Sequence, residues 1–337
     1  MTLMKTTIID VARKAGVSTG TVSNTLSGKR PVSEILRKRI FKAIAELNYR
    51  PNRIASGLVT GQTRTLGVII ANFYSGMSDV LKGIDYKARL SGYSILVSLL
   101  VHELDPMNLI TEFISRQVEG IVCIIPEDYE DRREENEFQV DNLDIPIVFV
   151  FNNFGNQRSL IRIDNELASY RCVQHLIEHG CRNIGHISGS MRSIEALERR
   201  RGWEKALRDY KLDPLILCES DWSSARGAIC AEKILEKWDD LDALFVNSDD
   251  CALGVIEAVH RLGRKIPEDI KVIGFDDMRY SKFIIPSLTT VRQDFFEMGV
   301  RSVIELSRLI ANIDSQPTET VLPTELVLRQ SCGCIPF

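Results

Sequence analysis

Asp164, Trp222, Asp249, Asp276 and Phe295 lie far apart in the chain, yet each stands at or just past the end of a short apolar run. Arg199 follows the loop after another such run. Carboxylates accept hydrogen bonds from vicinal hydroxyls, a guanidinium donates in a planar fork, and an aromatic ring covers the apolar face of a sugar. Gathered at one place, these side chains would hold a polyol or sugar. Singly, each has a plainer role. Asp164 and Asp276 suit the caps of following helices, and Trp222 and Phe295 suit a core.

The runs themselves predict the elements that position these residues. Leu66–Ile70, Ser94–Leu99, Gly120–Ile125, Ile145–Phe151, Leu160–Ile163, Asn183–Ile187, Leu215–Cys218, Ala243–Val246, Lys271–Phe275 and Leu288–Val291 read as strands. Ser78–Leu90, Leu167–His179, Ala225–Trp238 and Ala252–Leu262 read as helices. Their alternation predicts parallel sheets with helices on both faces. These ten strands are many for one sheet, so two lobes are expected. Open parallel sheets bind ligands beyond the carboxyl ends of their strands, which is where the candidate residues fall.

The first part of the chain has a different chemistry. Residues 1–64 carry twelve Lys/Arg against three acids, a surplus of +9. The net charge of -4 therefore leaves -13 on the remainder. A basic head on an acidic body predicts a polyanionic partner for the head alone. Thr7 and Asp10 have the spacing of a capping box, and Val11, Ala12 and Ala15 share one helical face. Gly16 should end that helix. Ser18 caps a second helix, with Val22 and Leu26 inward and Thr19, Gly20, Thr21, Ser23 and Asn24 outward. Two helices joined by a short turn containing Gly are the helix-turn-helix pattern, and small polar side chains suit entry into a major groove. Ser33 caps a third helix, with Leu36, Ile40, Ala43, Ile44 and Leu47 inward and Arg37, Lys38, Arg39 and Lys42 outward. After Pro51, the stretch to Gly61 reads as a marginal helix or a linker, since Gly57 costs a helix about 1 kcal/mol relative to Ala.

Residues 7–70 resemble the lactose-repressor family. The likeness rests on Thr7-Ile-Ile-Asp-Val-Ala-Arg-Lys-Ala-Gly-Val-Ser18, Thr21-Val-Ser23, Val32-Ser33, Leu47-Asn-Tyr-Arg-Pro-Asn52 and Leu58. It implies an all-α helix-turn-helix head over 1–50 and a hinge over 51–64. The DNA contacts it implies are Thr7, Ser18, Thr19, Gly20, Thr21, Ser23, Asn24, Arg30, Tyr49, Asn52, Ala55 and Leu58. In the family, hinge helices of a dimer pair in the minor groove and each wedges a leucine into a base step; Leu58 matches that position. Asn24 stands where many members carry Arg. Arg reads guanine and Asn prefers adenine, so the half-site should differ beneath Asn24.

The body resembles the family's effector-binding core, which is similar to periplasmic sugar-binding proteins. The matching stretches are Ile163-Asp-Asn-Glu166, His175-Leu-Ile-Glu-His-Gly180, Arg199-x-x-Gly202, Ala252-Leu-Gly254, Ile273-Gly-Phe-Asp-Asp277 and Leu288-Thr-Thr-Val-Arg-Gln-Asp-Phe295. The resemblance implies an α/β two-lobed core of doubly wound parallel sheets over 65–337. Lobe 1 would span about 65–163 plus 292–321, and lobe 2 about 164–291 plus 322–337. It places Arg199, Trp222, Asp249, Asp276 and Phe295 in the effector cleft and Asp164 near the first crossover. Tyr74 is the expected contribution from the loop Ala71–Met77, which lacks the family's usual Asn-Pro-Phe-Phe run. The expected effector is a sugar or sugar derivative, and the expected partner is a near-palindromic double-stranded operator bound by a homodimer. With no heptad tail in view, a dimer is expected rather than a tetramer.

With 44% apolar residues over 337 positions, the chain can bury a substantial core, and disorder is not expected. No apolar run approaches the roughly 20 residues of a membrane span, and the N-terminus has no leader pattern, so a cytoplasmic protein is expected. The eight cysteines are expected to be reduced and mostly buried. Cys332 and Cys334 form a C-x-C pair with no second Cys/His pair at finger-like spacing, so no metal is expected. Glu127–Glu137 reads as a solvated charged stretch. No dinucleotide, phosphate-loop or nucleophile-elbow motif is present, and neither a cofactor nor catalysis is expected. Two other readings stay open: a sugar receptor of periplasmic type, against which the basic head argues, and a small-molecule enzyme of doubly wound fold.

Overall fold

The Thr7 and Asp10 side chains close the expected capping box. The Thr7 amide donates to the Asp10 carboxylate at 2.9 Å, and the Asp10 amide donates back to the Thr7 hydroxyl at 3.4 Å. This starts α1 (Ile8–Ala15), which Gly16 ends with φ at 62°. The computed structural model describes residues 6–27, 30–50, 62–71, 76–101, 105–125, 143–152, 158–214, 216–312 and 314–334. It divides into two units, Met1–Thr63 and Arg64–Phe337.

In the first unit, the Ser18 hydroxyl accepts from the Thr21 amide at 3.2 Å and caps α2 (Thr19–Ser27). Ser33 precedes α3 (Glu34–Glu46) but makes no capping bond, unlike the expectation; Glu34 supplies the favourable charge in that first turn instead. Arg39, expected to face outward, turns back and donates to the Ala15 carbonyl oxygen at 2.6 Å. It thereby serves a carbonyl that α1 leaves unpaired at its end. Val11, Ala12, Ala15, Val22, Ile40 and Ala43 make the core of this unit.

The second unit holds two open sheets. The first has the order β11-β5-β4-β3-β1-β2, all parallel, from β1 (Thr65–Ile70), β2 (Ser94–Leu99), β3 (Gly120–Ile124), β4 (Ile147–Val150), β5 (Ser159–Ile163) and β11 (Glu319–Leu322). The second has the order β7-β6-β8-β9, also parallel, from β6 (Ile184–Ser188), β7 (Leu217–Glu219), β8 (Ala243–Val246) and β9 (Lys271–Ile273). Each sheet starts at an inner strand, adds one neighbour outward, then reverses. That is the doubly wound order, and the reversal leaves a crevice at the carboxyl ends. Leu215, the expected first residue of β7, lies outside the described residues.

Leu288–Val291 departs from the expectation. β10 (Thr290–Arg292) pairs antiparallel with β12 (Glu325–Val327) in a two-stranded ladder of its own. Single bridges, Ile273 to Thr289 and Asp276 to Arg292, tie it to the end of the second sheet. The chain passes between the sheets after β5, after β10 and after β11. Around β10 and β12, Arg292 pairs with Asp277 and Glu325, both at 2.7 Å, and Arg329 pairs with Asp277.

Six helices cover the sheets in tight pairs. They are α4 (Met77–Leu90) with α10 (Phe295–Ala311), α6 (Asn165–Glu178) with α7 (Ile194–Asp209), and α8 (Ser224–Lys237) with α9 (Asp249–Arg261). Glycine lets the backbones touch. A Cβ on Gly254 of α9 would fall on the Ser224 carbonyl of α8. Gly83 and Gly299 are seated in the same way between α4 and α10. A further helix, α5 (Pro106–Ser115), packs Leu109, Ile110 and Phe113 on the other face of the first sheet. One apolar cluster runs through both lobes, from Leu66 and Val68 to Phe245 and Phe275.

Cys218 and Cys230 form a disulfide with Cα atoms 5.8 Å apart, which corrects the expectation of reduced thiols throughout. Packing of α8 against β7 brings the two together, and their separation in sequence gives no hint of it. No helix among the described residues is long and apolar enough to cross a membrane.

Candidate functional site

Ser193 caps α7 by accepting from the Ala196 amide, and this helix presents Arg199 inward with only 4% of its surface exposed. Arg199 Nε donates to Asn165 Oδ1 at 2.9 Å, Nη1 donates to the Asn247 carbonyl oxygen, and Nη2 lies 3.9 Å from Asp276 Oδ1. Its guanidinium carbon sits 3.7 Å from the centroid of Phe275 and 5.4 Å from that of Trp222. Burial pulls the Arg199 pKa below the usual guanidinium value, against the pull of Asp276.

Asp276 follows β9 with φ at 115°, a conformation an L residue adopts only where its surroundings impose it. Its amide donates to the Val291 carbonyl at 2.8 Å, and its Oδ1 accepts from Gln293 Nε2 at 2.6 Å. Burial pushes its carboxyl up to about 8, with Arg199 opposing and the nearby Asp249 adding to the rise. It caps no helix. Trp222 follows β7 with φ at 72°, and its indole lies against Gly189 so closely that any Cβ there would collide with the ring.

The structure adds residues that the sequence did not single out. Asn247 is fully buried after β8, and both polar atoms of its side-chain amide lack a partner. Gln293 spends its Nε2 on Asp276, while its buried Oε1 is also unpartnered. Three unspent polar atoms thus belong to residues bonded to the Arg199–Asp276 pair. Buried polar atoms are seldom left unpaired without a ligand or water to meet them. Both residues stood within or beside motifs already quoted, but neither residue type signals a site by itself.

Arg199, Trp222 and Asp276 therefore come together, and the other expected residues make contacts of their own. Asp249 is fully buried, with its carboxylate accepting from the Met278 amide at 2.8 Å, the Thr290 hydroxyl at 2.6 Å and the Ser281 hydroxyl. Burial pushes it up to about 6. It ties α9 to the chain after β9. Asp164 caps α6, accepting from the Leu167 amide at 2.8 Å. Phe295 starts α10, edge-on to Phe151 at 6.3 Å and against Gly76. Tyr74 lies outside the described residues.

In the first unit, Thr7, Ser18, Thr19, Gly20, Ser23 and Arg30 are exposed, and Thr21 and Asn24 are half-buried. The Ser18 and Thr21 hydroxyls lie 2.9 Å apart. Tyr49 packs against the core of this unit, and burial pushes its phenol up. Asn52, Ala55 and Leu58, with residues 51–61 of the expected hinge, lie outside the described residues.

Models of known families match two parts of the chain. One described as bacterial regulatory proteins, lacI family, covers residues 7–52, and one described as a periplasmic binding protein-like domain covers residues 173–332. Catabolite control protein A of Priestia megaterium is 32% identical over 97% of this chain and 99% of its own. The lac repressor dimer bound to operator and the anti-inducer ONPF matches with a TM-score of 0.85 at 28% identity, over 97% of this chain and 99% of that one. The transcriptional regulator CelR in complex with cellobiose matches with a TM-score of 0.72 at 26% identity, over 97% of this chain and 100% of that one.

Proposed function

The chain belongs to the lacI family of bacterial regulatory proteins, and on that premise we propose that it represses transcription as a homodimer whose grip on DNA is set by a sugar or sugar derivative held at Arg199 and Asp276. It is a DNA-binding transcriptional regulator with a helix-turn-helix head and an α/β core. The observation that carries the ligand reading is the set of unspent polar atoms on Asn247 and Gln293 around the buried Arg199–Asp276 pair. Trp222 supplies the apolar face. The CelR structure holds cellobiose, which supports a saccharide as the ligand class. The decisive experiment screens sugars and sugar phosphates by thermal shift, then repeats operator gel shifts with each hit. A ligand at about 100 times its Kd adds about 2.7 kcal/mol of stability. No hit among saccharides would overturn the ligand class, and no sequence preference in the gel shift would overturn the operator reading.

In this reading, ligand binding changes the closure of the two lobes and hence the spacing of the hinges. A coupling of about 1–3 kcal/mol would change operator affinity by one to two decades. We read the chain as a cytoplasmic regulator rather than an enzyme, in line with its named relatives; turnover of a bound sugar would overturn that.

The dimer has support in the second unit. β2 is an edge strand that exposes Val97 and Leu99, and Tyr86, Leu90 and Val101 nearby are also exposed. An apolar sheet edge is an aggregation hazard unless something covers it, and a second copy would do so. Sedimentation of Leu99→Glu should show a monomer where the parent chain shows a dimer.

Asn24→Arg is expected to shift half-site preference toward guanine by roughly 1–3 kcal/mol at one base pair, as read by binding-site selection. An unchanged preference would mean that Asn24 touches only phosphate.

Asp276 also gives ligand binding a pH dependence. Its folded pKa is raised to about 8, so the folded chain keeps a proton that the unfolded chain sheds near 3.8. Its contribution to stability is therefore full below that lower value and is lost as pH rises through about 8. Sugar hydroxyls donate to the ionised form. Affinity should rise by up to about tenfold per pH unit on approaching that pKa and then level off. Calorimetry across this range should show the rise in the parent chain and a flat profile in Asp276→Asn.

A further inference from the structure

The C-terminal segment carries a feature that ligand and DNA binding leave unused. After β12, a single turn of tight helix, Gln330–Cys332, is bonded into the second lobe. The Ser331 hydroxyl donates to the Val272 carbonyl at 2.6 Å and accepts from the Thr289 amide at 2.8 Å. Gly333 then turns the chain with φ at 83°, where an L side chain would be strained. Cys332 and Cys334 flank that turn. Facing them are His175, in the last turn of α6, and His179, four residues on at the cap of its carboxyl end.

The separations are those of a ligand set. Cys334 Sγ lies 3.4 Å from His175 Nε2 and 3.8 Å from His179 Nε2. The ligand atoms of His175, Cys332 and Cys334 all lie within 4.8 Å of one another. Tetrahedral zinc, with Zn–S of about 2.3 Å and Zn–N of about 2.0 Å, holds its sulfur and nitrogen ligands about 3.5 Å apart. The surroundings match as well. His179 Nδ1 is 2.8 Å from the His175 carbonyl oxygen, the bond that fixes the tautomer and leaves Nε2 free to bind metal. The Thr289 hydroxyl donates to Cys332 Sγ at 3.0 Å. The Lys271 ammonium, 3.1 Å from the His179 carbonyl oxygen, adds positive charge beside the thiols. Cys332 is fully buried while Cys334 is partly exposed and His179 exposed, so one side is closed and the other admits an ion.

We propose that His175, His179, Cys332 and Cys334 bind one zinc ion that fastens the C-terminal segment to α6. Both thiols release their protons on binding. Thiolate and imidazole ligands select zinc over magnesium or calcium. The sequence hid the site because the H-x-x-x-H pair and the C-x-C pair stand at opposite ends of the second lobe's sequence.

The test uses the full chain, reduced and freed of metal by a chelator, and titrated with cobalt(II) as a spectroscopic probe. One cobalt per chain should bind, with thiolate charge-transfer bands and the strong visible absorption of a tetrahedral site, and zinc should displace it. Zinc should also raise the midpoint of thermal unfolding. Cys332 is buried, so its replacement tests folding as well as binding. Cys334→Ser and His179→Gln, at accessible positions, separate the two. Each should weaken cobalt binding at least tenfold and remove the zinc-dependent rise, with the circular dichroism spectrum and operator binding of the metal-free chain unchanged. Absence of a thiolate band, parent-like cobalt affinity in both variants, or a Cys332–Cys334 disulfide in chains trapped at lysis would each overturn the proposal.

Discussion

Arg199→Met is expected to abolish the response of operator binding to ligand while leaving operator affinity without ligand within a fewfold of the parent. Methionine keeps most of the volume and the contact with Phe275, but removes every donor. Asn165 Oδ1, the Asn247 carbonyl and Asp276 then lose the guanidinium that meets them. Breaking a buried ion pair on one side costs about 3–5 kcal/mol, because the remaining charge is stranded. Here the stranded group has an escape. With its pKa at about 8, the carboxyl already holds its proton near neutral pH in the parent chain, so little charge is stranded there and the cost falls toward the lost hydrogen bonds. The stability loss should therefore be small near neutral pH and grow as pH rises through that value, where the parent's carboxyl ionises beside Arg199. Ligand affinity has no such escape, because the fork that meets the ligand is gone. A loss of at least 100-fold, about 2.7 kcal/mol, is expected in calorimetry. A parent-like ligand response in the gel shift would remove Arg199 from the site.

Gly254→Ala should give the largest loss of stability from a single added methyl. The new Cβ would fall on the Ser224 carbonyl, and Gly227 on the facing helix already rests on the Cys251 carbonyl. Neither obstacle is a side-chain tip that can swing away, so α8 and α9 must separate along the crossing. Forcing a methyl into a well-packed contact costs about 1–3 kcal/mol, and a backbone obstacle puts this case at the upper end. For a domain of this size that lowers the unfolding midpoint by roughly 2–4 °C for each kcal/mol. Thermal unfolding followed by circular dichroism checks it. An unchanged midpoint would mean that the helix pair yields more readily than its backbone contacts imply.

The legible parts of this molecule share one property: their signal is local. Thr7, Asp10, Gly16 and Ser18 announce the first two helices because caps act over three or four residues. Apolar runs such as Gly120–Ile124 announce buried parallel strands, which are apolar on both faces. β11 and β12 escaped notice because they are short and half exposed, with Glu319 and Glu325 at their starts. Leu288–Val291 was apolar enough to read as a strand, but the pattern does not say which sheet an extended segment joins. Arg199, Trp222 and Asp276 were legible as a set through resemblance, while Asn247 and Gln293 were not, since an unspent amide exists only after folding. Asp249 shows the opposite case. A carboxylate at a strand end reads as a ligand contact, and the sequence does not show that three protein donors meet this one.

The glycine-seated helix pairs bring backbones into direct contact within each lobe, and three connections of the chain join the lobes. At those connections stands a charged knot, with Arg292 bridging Asp277 and Glu325 and Arg329 also on Asp277. Arg292 is about half exposed, at 48% of its side-chain surface, so its bonds lie within reach of dissolved ions. Mobile ions screen such pairs over a distance of about 8 Å at physiological strength. The exposed half of the knot should therefore weaken with salt while the buried Arg329–Asp277 pair holds, so the resistance to lobe movement is set by ionic strength only in part.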